Sequence, residues 1–570
     1  MRVAALILAI IAGCNQGRAA EPIGPPTDRP AEPGTSGAGA APGEAARPLA
    51  ASAQRLPSDA ELERAHAVIG RVIVDNQNIF NLADPRDDNW LFRLADRLHP
   101  RTRAYIIREQ LLFKPGDRYS RHALDESARI LRAQPYFYDA SISPVRYHHG
   151  KVDVLVTTHD VWTLDPGFNF SRSGGTNTTG GQLVELNLVG TGTKVGVERT
   201  TDVDRTTTLY ELENGHAFGT WTDVTLNYED NSDGKVQLVS VNHPFYALET
   251  QQAWGITETS GTQYDHLWDL GDVVDEFQEH FRTITGYYGW SAGLVNGWVQ
   301  RWSAGFTLDE HLFDPSPIWP SGALLPLDRE FNYPWVEYDL VQDDFAVLHN
   351  YAQIARTEDF YLGTQVSARV GYAAQAFGSD RSAVIFSSSA GHGIGWSGGS
   401  ILLLNASTSG RVENGSLRNA ELQGSANLYL VETERAKFYA GLQGVAAHAL
   451  DLDNQVLLGG DNGLRGYPLR FQAGTASALL TLEQRYFTDW YPFRLWRVGG
   501  AAFFDAGRTW GSVPYAPPSL GVLKDVGAGL RLGNARSGLG NITHVDLALP
   551  LDRISGVRGL QLLVQTSQSF

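Results

Sequence analysis

Val526-Gly527-Ala528-Gly529-Leu530-Arg531-Leu532 alternates residue by residue, with Val526, Ala528, Leu530 and Leu532 on one face and two glycines and Arg531 on the other. Successive side chains of an extended chain point to opposite faces, so the run reads as a strand with one apolar and one polar face. The pattern continues on both sides. Val545, Leu547 and Leu549 oppose His544 and Asp546, and Leu480, Leu482 and Tyr486 oppose Thr481, Glu483 and Arg485. Val184, Leu186 and Leu188 oppose Glu185 and Asn187. At the end of the chain Leu560, Leu562, Val564, Thr566 and Phe570 oppose Gln561, Gln565, Ser567 and Ser569. From Asp165 to Phe570, about 400 residues, no helical period longer than about ten residues intervenes.

Lipid leaves no backbone group unpaired, so apolar-out, polar-in strands must close on themselves to cross it. A single soluble sheet of this length would be unusual. The fold class expected is mainly β: a transmembrane antiparallel β-barrel of about 16 strands over residues 165–570, at about 25 residues per strand and turn, preceded by one α+β domain. The count within 260–400 is the least distinct. Composition agrees: Gly 60 of 570, Tyr 22 and Trp 14 supply turns and aromatic girdles, and charged residues are only 19%. The net charge of −17 argues against nucleic acid as a partner, because phosphate binding needs clustered Lys and Arg.

The N-terminus reads as an address. Arg2, the apolar run Val3–Ala12 and Gly13-Cys14 have the layout of an export signal, residues 1–20, and the run is too short to span a bilayer. Ile11-Ala12-Gly13-Cys14 is similar to a lipobox, in which Cys14 would be acylated; the other reading is an ordinary signal cut near Ala19 or Ala20. Cys14 is the only cysteine, so no intrachain disulfide forms. Residues 21–66 follow as a tether, rich in Ala, Pro and Gly through Ser58, which cannot bury enough apolar surface to fold.

Residues 67–164 read as a small β-α-α-β-β domain. Val68–Val74 is a strand and Asn76–Pro100 a long connection. Thr102 caps a helix carrying Ile106, Ile107 and Leu111, and Ser120 caps another carrying Leu124, Ala128 and Leu131. Extended Ser141–Tyr147, a turn at His148-His149-Gly150 and alternating Val152, Val154 and Val156 complete it. Leu111-Leu112-Phe113-Lys114-Pro115-Gly116-Asp117-Arg118-Tyr119-Ser120, Leu131-Arg132, Tyr136–Ala140 and Val152–Val154 resemble a POTRA domain. These are periplasmic modules of the BamA/TamA-type outer-membrane protein-assembly factors, the bacterial surface antigen superfamily. One such module is present, where assembly factors of the family carry several.

A second constellation carries the same resemblance. Leu457-Leu458-Gly459-Gly460 leads into Leu464-Arg465-Gly466-Tyr467, which is similar to the tip of the superfamily's long sixth extracellular loop. The resemblance implies that this loop folds into the lumen and that Arg465 meets an acid in Phe503-Phe504-Asp505-Ala506-Gly507, which fits the family's Phe-x-Asp-x-Gly pattern through Phe503, Asp505 and Gly507. Glu483 and Arg485 add lumenal charge. An arginine inside a polar barrel needs a fixed carboxylate, and the two-pronged pair supplies geometry as well as strength. Asn187–Gly192 resembles the family's opening hairpin, His243–Tyr246 resembles a later turn, and terminal Phe570 resembles the recognition signal of outer-membrane barrels.

Catalysis has little footing. Gly289-Trp290-Ser291-Ala292-Gly293 and Gly395-Trp396-Ser397-Gly398-Gly399 match a hydrolase elbow in letters, but their flanks read as strands and turns. His148, His149 and His159 lack ligand spacing, and Asp451–Asn454 lacks the glycine and glutamate of a calcium loop. No cofactor, metal or catalytic residue is expected. The function expected from the resemblance is insertion or translocation of proteins at the bacterial outer membrane, with the module in the periplasm and outer-membrane lipid and an extended client protein as partners. The client would add to a strand edge, and the seam between a first strand near 182–189 and a last near 559–570 would open. The alternatives are a passive pore or lipid/glycan transit channel on the same scaffold, and a display protein working through its loops.

Overall fold

A computed structural model describes residues 56–319, 324–354, 356–516, 519–537 and 542–567. The expected export signal, Cys14, most of the tether and Phe570 lie outside the described residues.

Near the N-terminus, four helices, α1 (Asp59–Arg64), α2 (Trp90–Leu98), α3 (Ala104–Glu109) and α4 (Arg121–Arg132), pack with three strands, β1 (Val68–Gln77), β2 (Phe137–His148) and β3 (Lys151–Asp160). The sheet order is β1-β3-β2, with β1 parallel and β2 antiparallel to β3. The alternating Val152, Val154 and Val156 of β3 are fully buried against Ile69, Ile107, Leu124 and Leu131. Leu62 of α1 joins this core, so the expected tether ends before Asp59. Ser120 caps α4 by accepting from the Ala123 N–H. Thr102 does not cap α3; Arg103 occupies that position, and Thr102 instead donates its amide and hydroxyl to buried Asp160 at 2.8 and 3.1 Å. The connection 78–100 holds α2, capped by the Asn89 side chain. Its Phe92 is buried with Ile79 and Phe80.

The remainder is a closed antiparallel barrel, and among the described residues it has twenty strands rather than about 16. The first strand is Leu164–Ser173, not 182–189. It pairs with Thr176–Glu185 along its length, and the segment after Glu185 is a turn in which Leu188–Gly190 form one 3-10 turn. The reading missed the first strand because Pro166 and Gly167 interrupt its pattern. A proline offers no ladder donor and is tolerated near a poorly paired edge, and this strand forms such an edge. The middle third contains strands of 18, 24 and 18 residues, Gln252–Asp269, Asp272–Val295 and Trp298–Pro315, whose length blurs the turn spacing.

Burial runs opposite to that of a water-soluble sheet. Leu530 is 52% exposed while its neighbour Arg531 is 0% exposed; Leu547 and Leu549 lie outward and Asp546 is buried. The exterior is apolar and the ions are inside, as a closed barrel in lipid requires. Because the chain enters the barrel at Leu164, the turns near that end are module-side and the others far-side.

Candidate functional site

The residues 449–475 link strands Ala436–His448 and Ala476–Phe487 at the far end. They fold inward. A short ribbon, Val456–Leu458 paired with Gln472–Gly474, leads to a knot in which Asn462 accepts from the Gly459 N–H (2.6 Å) and donates to the Leu457 carbonyl (2.7 Å). Gly460 fits because a Cβ there would stand 2.2 Å from the Tyr467 carbonyl oxygen. Gly507 fits because its Cβ would meet Leu458 at 2.8 Å. The knot presents Leu464, Arg465, Gly466 and Tyr467 to the wall. Leu464 and Tyr467 are fully buried with Leu458, Phe471, Leu479 and Leu523. The Tyr467 hydroxyl lies 2.9 Å from the Lys524 carbonyl and 3.0 Å from Asp552.

Arg465 is the centre. Its Nε and Nη2 donate to the two oxygens of Asp505 at 2.7 and 3.0 Å, its Nη1 lies 3.2 Å from Glu483 and 3.6 Å from Asp546, and its guanidinium stacks 3.4 Å from the Phe503 ring centroid. Glu483 is shared by three guanidinium groups: Arg465, Arg485 at 2.9 Å and Arg531 at 2.8 Å. Arg531 also reaches Asp546 at 2.5 Å. The Gly466 N–H donates to Asp525, which stands directly across the sheet from Asp505. Two opposed carboxylates are thus held together by one arginine and one backbone amide. Sequence reading placed Arg531 and Asp546 on polar faces but did not assign them to this cluster, and it passed over Asp525. Their meeting depends on cross-strand register, which alternation alone does not fix.

The loop is tied to the walls at several further points. Asp451 pairs with Arg411 (2.6 Å), Asp453 with Arg329 (2.7 Å) and Arg470 with Asp204 (2.6 Å), while Ser173 of the first strand donates to the Gly460 carbonyl (2.6 Å). The two carboxylates of the Asp451–Asn454 segment therefore serve arginines. Among the described residues the loop is the eighth of ten far-side connections, and the third from the C-terminal end.

A second segment enters from the module side. Between wall strands Arg329–Gln342 and Gln365–Ala373 a hairpin, Phe345–His349 paired with Thr357–Tyr361, crosses toward the opposite wall. Tyr351 packs with Ile401 and Tyr429, and Ile354 with Phe487, Ala501 and Ile542. The Lys437 ammonium donates to the His349 carbonyl (3.1 Å), and Arg485 donates to the Tyr351 carbonyl (3.1 Å) while holding Glu483. Arg485 and Glu483 therefore link the hairpin to the loop through two residues of one strand.

The module lies against this hairpin. Arg132 at the end of α4 pairs with Asp359 (2.6 Å), and Arg356 stacks on Tyr138. Glu126 accepts from the Leu248 N–H (2.8 Å), and Asn187 in the turn after the second strand donates to Thr102 (2.8 Å). The segment Asn187–Gly192 is thus a rivet to the module and not an opening hairpin. In the His243–Tyr246 turn, Tyr246 stacks on Trp221 with centroids 4.2 Å apart.

His122 of α4 lies 3.3 Å from Glu126 and 3.5 Å from Asp343 at the hairpin's base, with Arg129 also paired to Glu126. The Glu126 carboxylate raises the imidazole above its ordinary 6.5, against the opposing effect of burial. A raised folded pKa gives stability that is complete below about 6.5 and is lost as pH climbs through the raised value. His122 is a third exposed, so the contribution is about 1 kcal/mol or less. The melting temperature of the full chain should therefore exceed that of His122→Gln in mildly acidic buffer, and the two should converge in alkaline buffer. Equal separation at both ends of the titration would remove His122 from the docking contact.

Ser291 sits in strand Asp272–Val295 and donates to the Gln300 carbonyl (2.7 Å), while Ser397 lies in a module-side turn; neither stands on a strand–turn–helix elbow. His148 and His149 are exposed at the β2–β3 turn, and His159 contacts the Ile79 carbonyl.

No protein-family model matches the chain. No curated protein matches it either. Among solved structures it is similar to CdiB from Escherichia coli, at 13% identity over 88% of this chain and 77% of that one, with a TM-score of 0.44. It is similar to CdiB from Acinetobacter baumannii at 11% identity over 88% and 73%, with a TM-score of 0.42. It is also similar to BamA from Haemophilus ducreyi lacking POTRA domains 1-3, at 11% identity over 87% and 84%, with a TM-score of 0.38.

Proposed function

We propose that this chain is a bacterial outer-membrane barrel with one periplasmic POTRA-like module, and that it inserts or translocates other proteins without enzymatic chemistry. The observation that carries the reading is the seam. The first strand pairs with the second from Leu164 to Ser173, and the last strand, Gln561–Ser567, pairs with its predecessor throughout. Across the seam, the described residues hold one register pair, Val564 with Arg172. Among the described residues the module-side part of the first strand has no further register partner across the seam, and in this reading its backbone donors and acceptors serve an arriving strand.

The module offers a second edge. β2 borders its sheet, with Ser141, Ser143 and Val145 exposed, and an extended client can add there before it reaches the seam. Loop 449–475 braces the lumen through Arg465, and the hairpin 345–361 carries contact from the module toward that brace. A desolvated ionic cluster of this kind fixes placement more than it adds stability. A passive pore fits less well, because both segments cross the lumen.

The test is to tie the seam. Directly opposed antiparallel residues have Cα atoms about 4.5–5.5 Å apart, within disulfide range. Arg172→Cys with Val564→Cys should form a bond under oxidising conditions. In a depletion strain, the oxidised pair should arrest growth and reduce the levels of other outer-membrane barrels, with recovery on reduction. Unchanged outer-membrane protein composition with the lock closed would defeat the lateral-opening mechanism.

A further inference from the structure

We infer that helix α2 is a lipid-binding element, lying with its outer face in the membrane interface beside the seam. The inference rests on the reading of the barrel as membrane-spanning. The helix is apolar over one wide arc, which divides into two parts. One, Phe92 and Ala95, packs against Leu495 and Trp162 at the foot of the barrel. The other faces outward: Trp90 is 74% exposed, Leu98 67%, and Leu91 and Leu94 about half. At 100° per residue, positions 90, 94, 98 and 91 form one stripe. Among the described residues nothing covers this stripe, although burying it in water-excluding surroundings would be favourable for each residue.

The barrel foot shows what covers it. The turn between the strands Ala476–Phe487 and Trp496–Trp510 carries Trp490 at 63% and Phe493 at 83% exposure. Arg494 of this turn pairs with Asp87, just before α2, and lies 3.6 Å from Asp84. Arg536, in the turn before the penultimate strand, reaches Asp87 at 3.3 Å and the Ile79 carbonyl at 2.7 Å. These ties hold the helix against the same rim that bears Trp490 and Phe493, so exposed apolar side chains of both meet the surroundings at one end of the barrel. Exposed Arg97, and Arg93 paired with Asp88 at 2.6 Å, line one side of the stripe. An apolar stripe with an aromatic residue, bordered by arginines, is the composition of an interfacial helix, and anionic phospholipid headgroups complement it. A protein client would leave the adjoining Trp490 and Phe493 unexplained, whereas lipid covers both surfaces.

The helix would therefore hold the module close to the bilayer at the point where the first strand begins. Trp162 of the linker, two residues before the first strand, pairs with Ser537 and donates its backbone N–H to the Arg536 carbonyl (2.8 Å), so helix, linker and barrel foot share one set of contacts.

The experiment uses the full chain with Cys14→Ser, in nanodiscs containing anionic phospholipid. A bimane fluorophore is placed singly at Leu94→Cys, Leu98→Cys, Leu547→Cys or Lys151→Cys. Leu547 reports the barrel exterior and Lys151 the exposed β2–β3 turn. Labels at 94 and 98 should lose most of their emission to phospholipid carrying a doxyl quencher near the headgroup and resist aqueous iodide. Position 547 should be quenched by doxyl lipid, and 151 by iodide alone. If 547 responds to doxyl lipid while 94 and 98 respond only to iodide, the helix is not in lipid and the inference fails, with the membrane reading intact. If 547 itself is insensitive to doxyl lipid, the membrane reading fails first. Self-quenching between copies at 94 or 98, without doxyl quenching, would assign the stripe to a second copy and overturn the inference.

Discussion

Arg465→Ala should release loop 449–475 from the lumen wall and lower stability by about 3–5 kcal/mol, the range for removing one partner of a buried ionic pair. Asp505 is fully buried and accepts two hydrogen bonds from Arg465. Without the guanidinium, Asp505 and Asp525 face each other across the sheet with only the Gly466 amide between them, and that amide lies on the same loop. Glu483 keeps Arg485 and Arg531, so the remainder of the cluster should stay folded. The readouts are the temperature at which the barrel loses its folded gel mobility and the rate of protease cleavage within 449–475. Arg465→Lys keeps the charge but cannot reproduce the two-pronged contact or the stacking on Phe503, and should fall between. The paired substitution Arg465→Leu with Asp505→Leu removes both charges and should be less damaging than Arg465→Ala alone. A fully protected loop in Arg465→Ala would mean that its other anchors, among them Asp451, Asp453, Arg470 and Tyr467, suffice to hold it.

What the sequence makes legible follows from the range of each interaction. Strand alternation is local, and it separates the outward Leu530 and Leu547 from the inward Arg531 and Asp546 without any knowledge of the closed barrel. The Arg465 and Asp505 motifs could be read together because family resemblance supplied a pairing that spacing could not. Asp525 was not legible as part of the cluster, since its place depends on strand 496–510 pairing with strand 523–534 so that Asp505 meets Asp525. The twenty-strand count was hidden by the opposite problem. The 24-residue strand Asp272–Val295 passes through Gly286, Gly289 and Gly293, which read as turn signals but lie in a continuous ladder apart from one bulge. Helix α2 was missed although its apolar residues fill one arc, because its nine residues give little more than two turns in which a helical period can show. The hairpin was invisible as a separate element. Phe345–His349 and Thr357–Tyr361 have ordinary strand patterns, and only tertiary packing sends them across the lumen instead of into its wall.

That hairpin carries the other large expected effect. Its neck is closed by the Leu362 and Gly363 amides donating to the Asp344 carbonyl at 3.0 and 2.8 Å. Residues 345–361 can therefore be excised and Asp344 joined to Leu362 through a two-residue Asn-Gly turn without shifting the wall strands on either side. The excision removes Tyr351 and Ile354 from contacts with strands that begin at Ile401, Ser416, Ala476, Trp496 and Ile542, and it takes away the carbonyls to which Lys437 and Arg485 donate. It also removes Asp359, the partner of Arg132 on α4. Single-channel recording in a planar bilayer should show a barrel that is nearly silent in the intact chain and conducts frequently after excision. Combining the excision with Arg465→Ala should enlarge the open state further, because the far-side brace is then lost as well. An intact chain that already conducts as strongly as the excised one would mean that the hairpin does not close the lumen, and would favour the passive-pore reading over protein insertion. If instead the excised barrel stays closed and opens only with Arg465→Ala, loop 449–475 is the seal, and the hairpin serves to hold the module against the barrel.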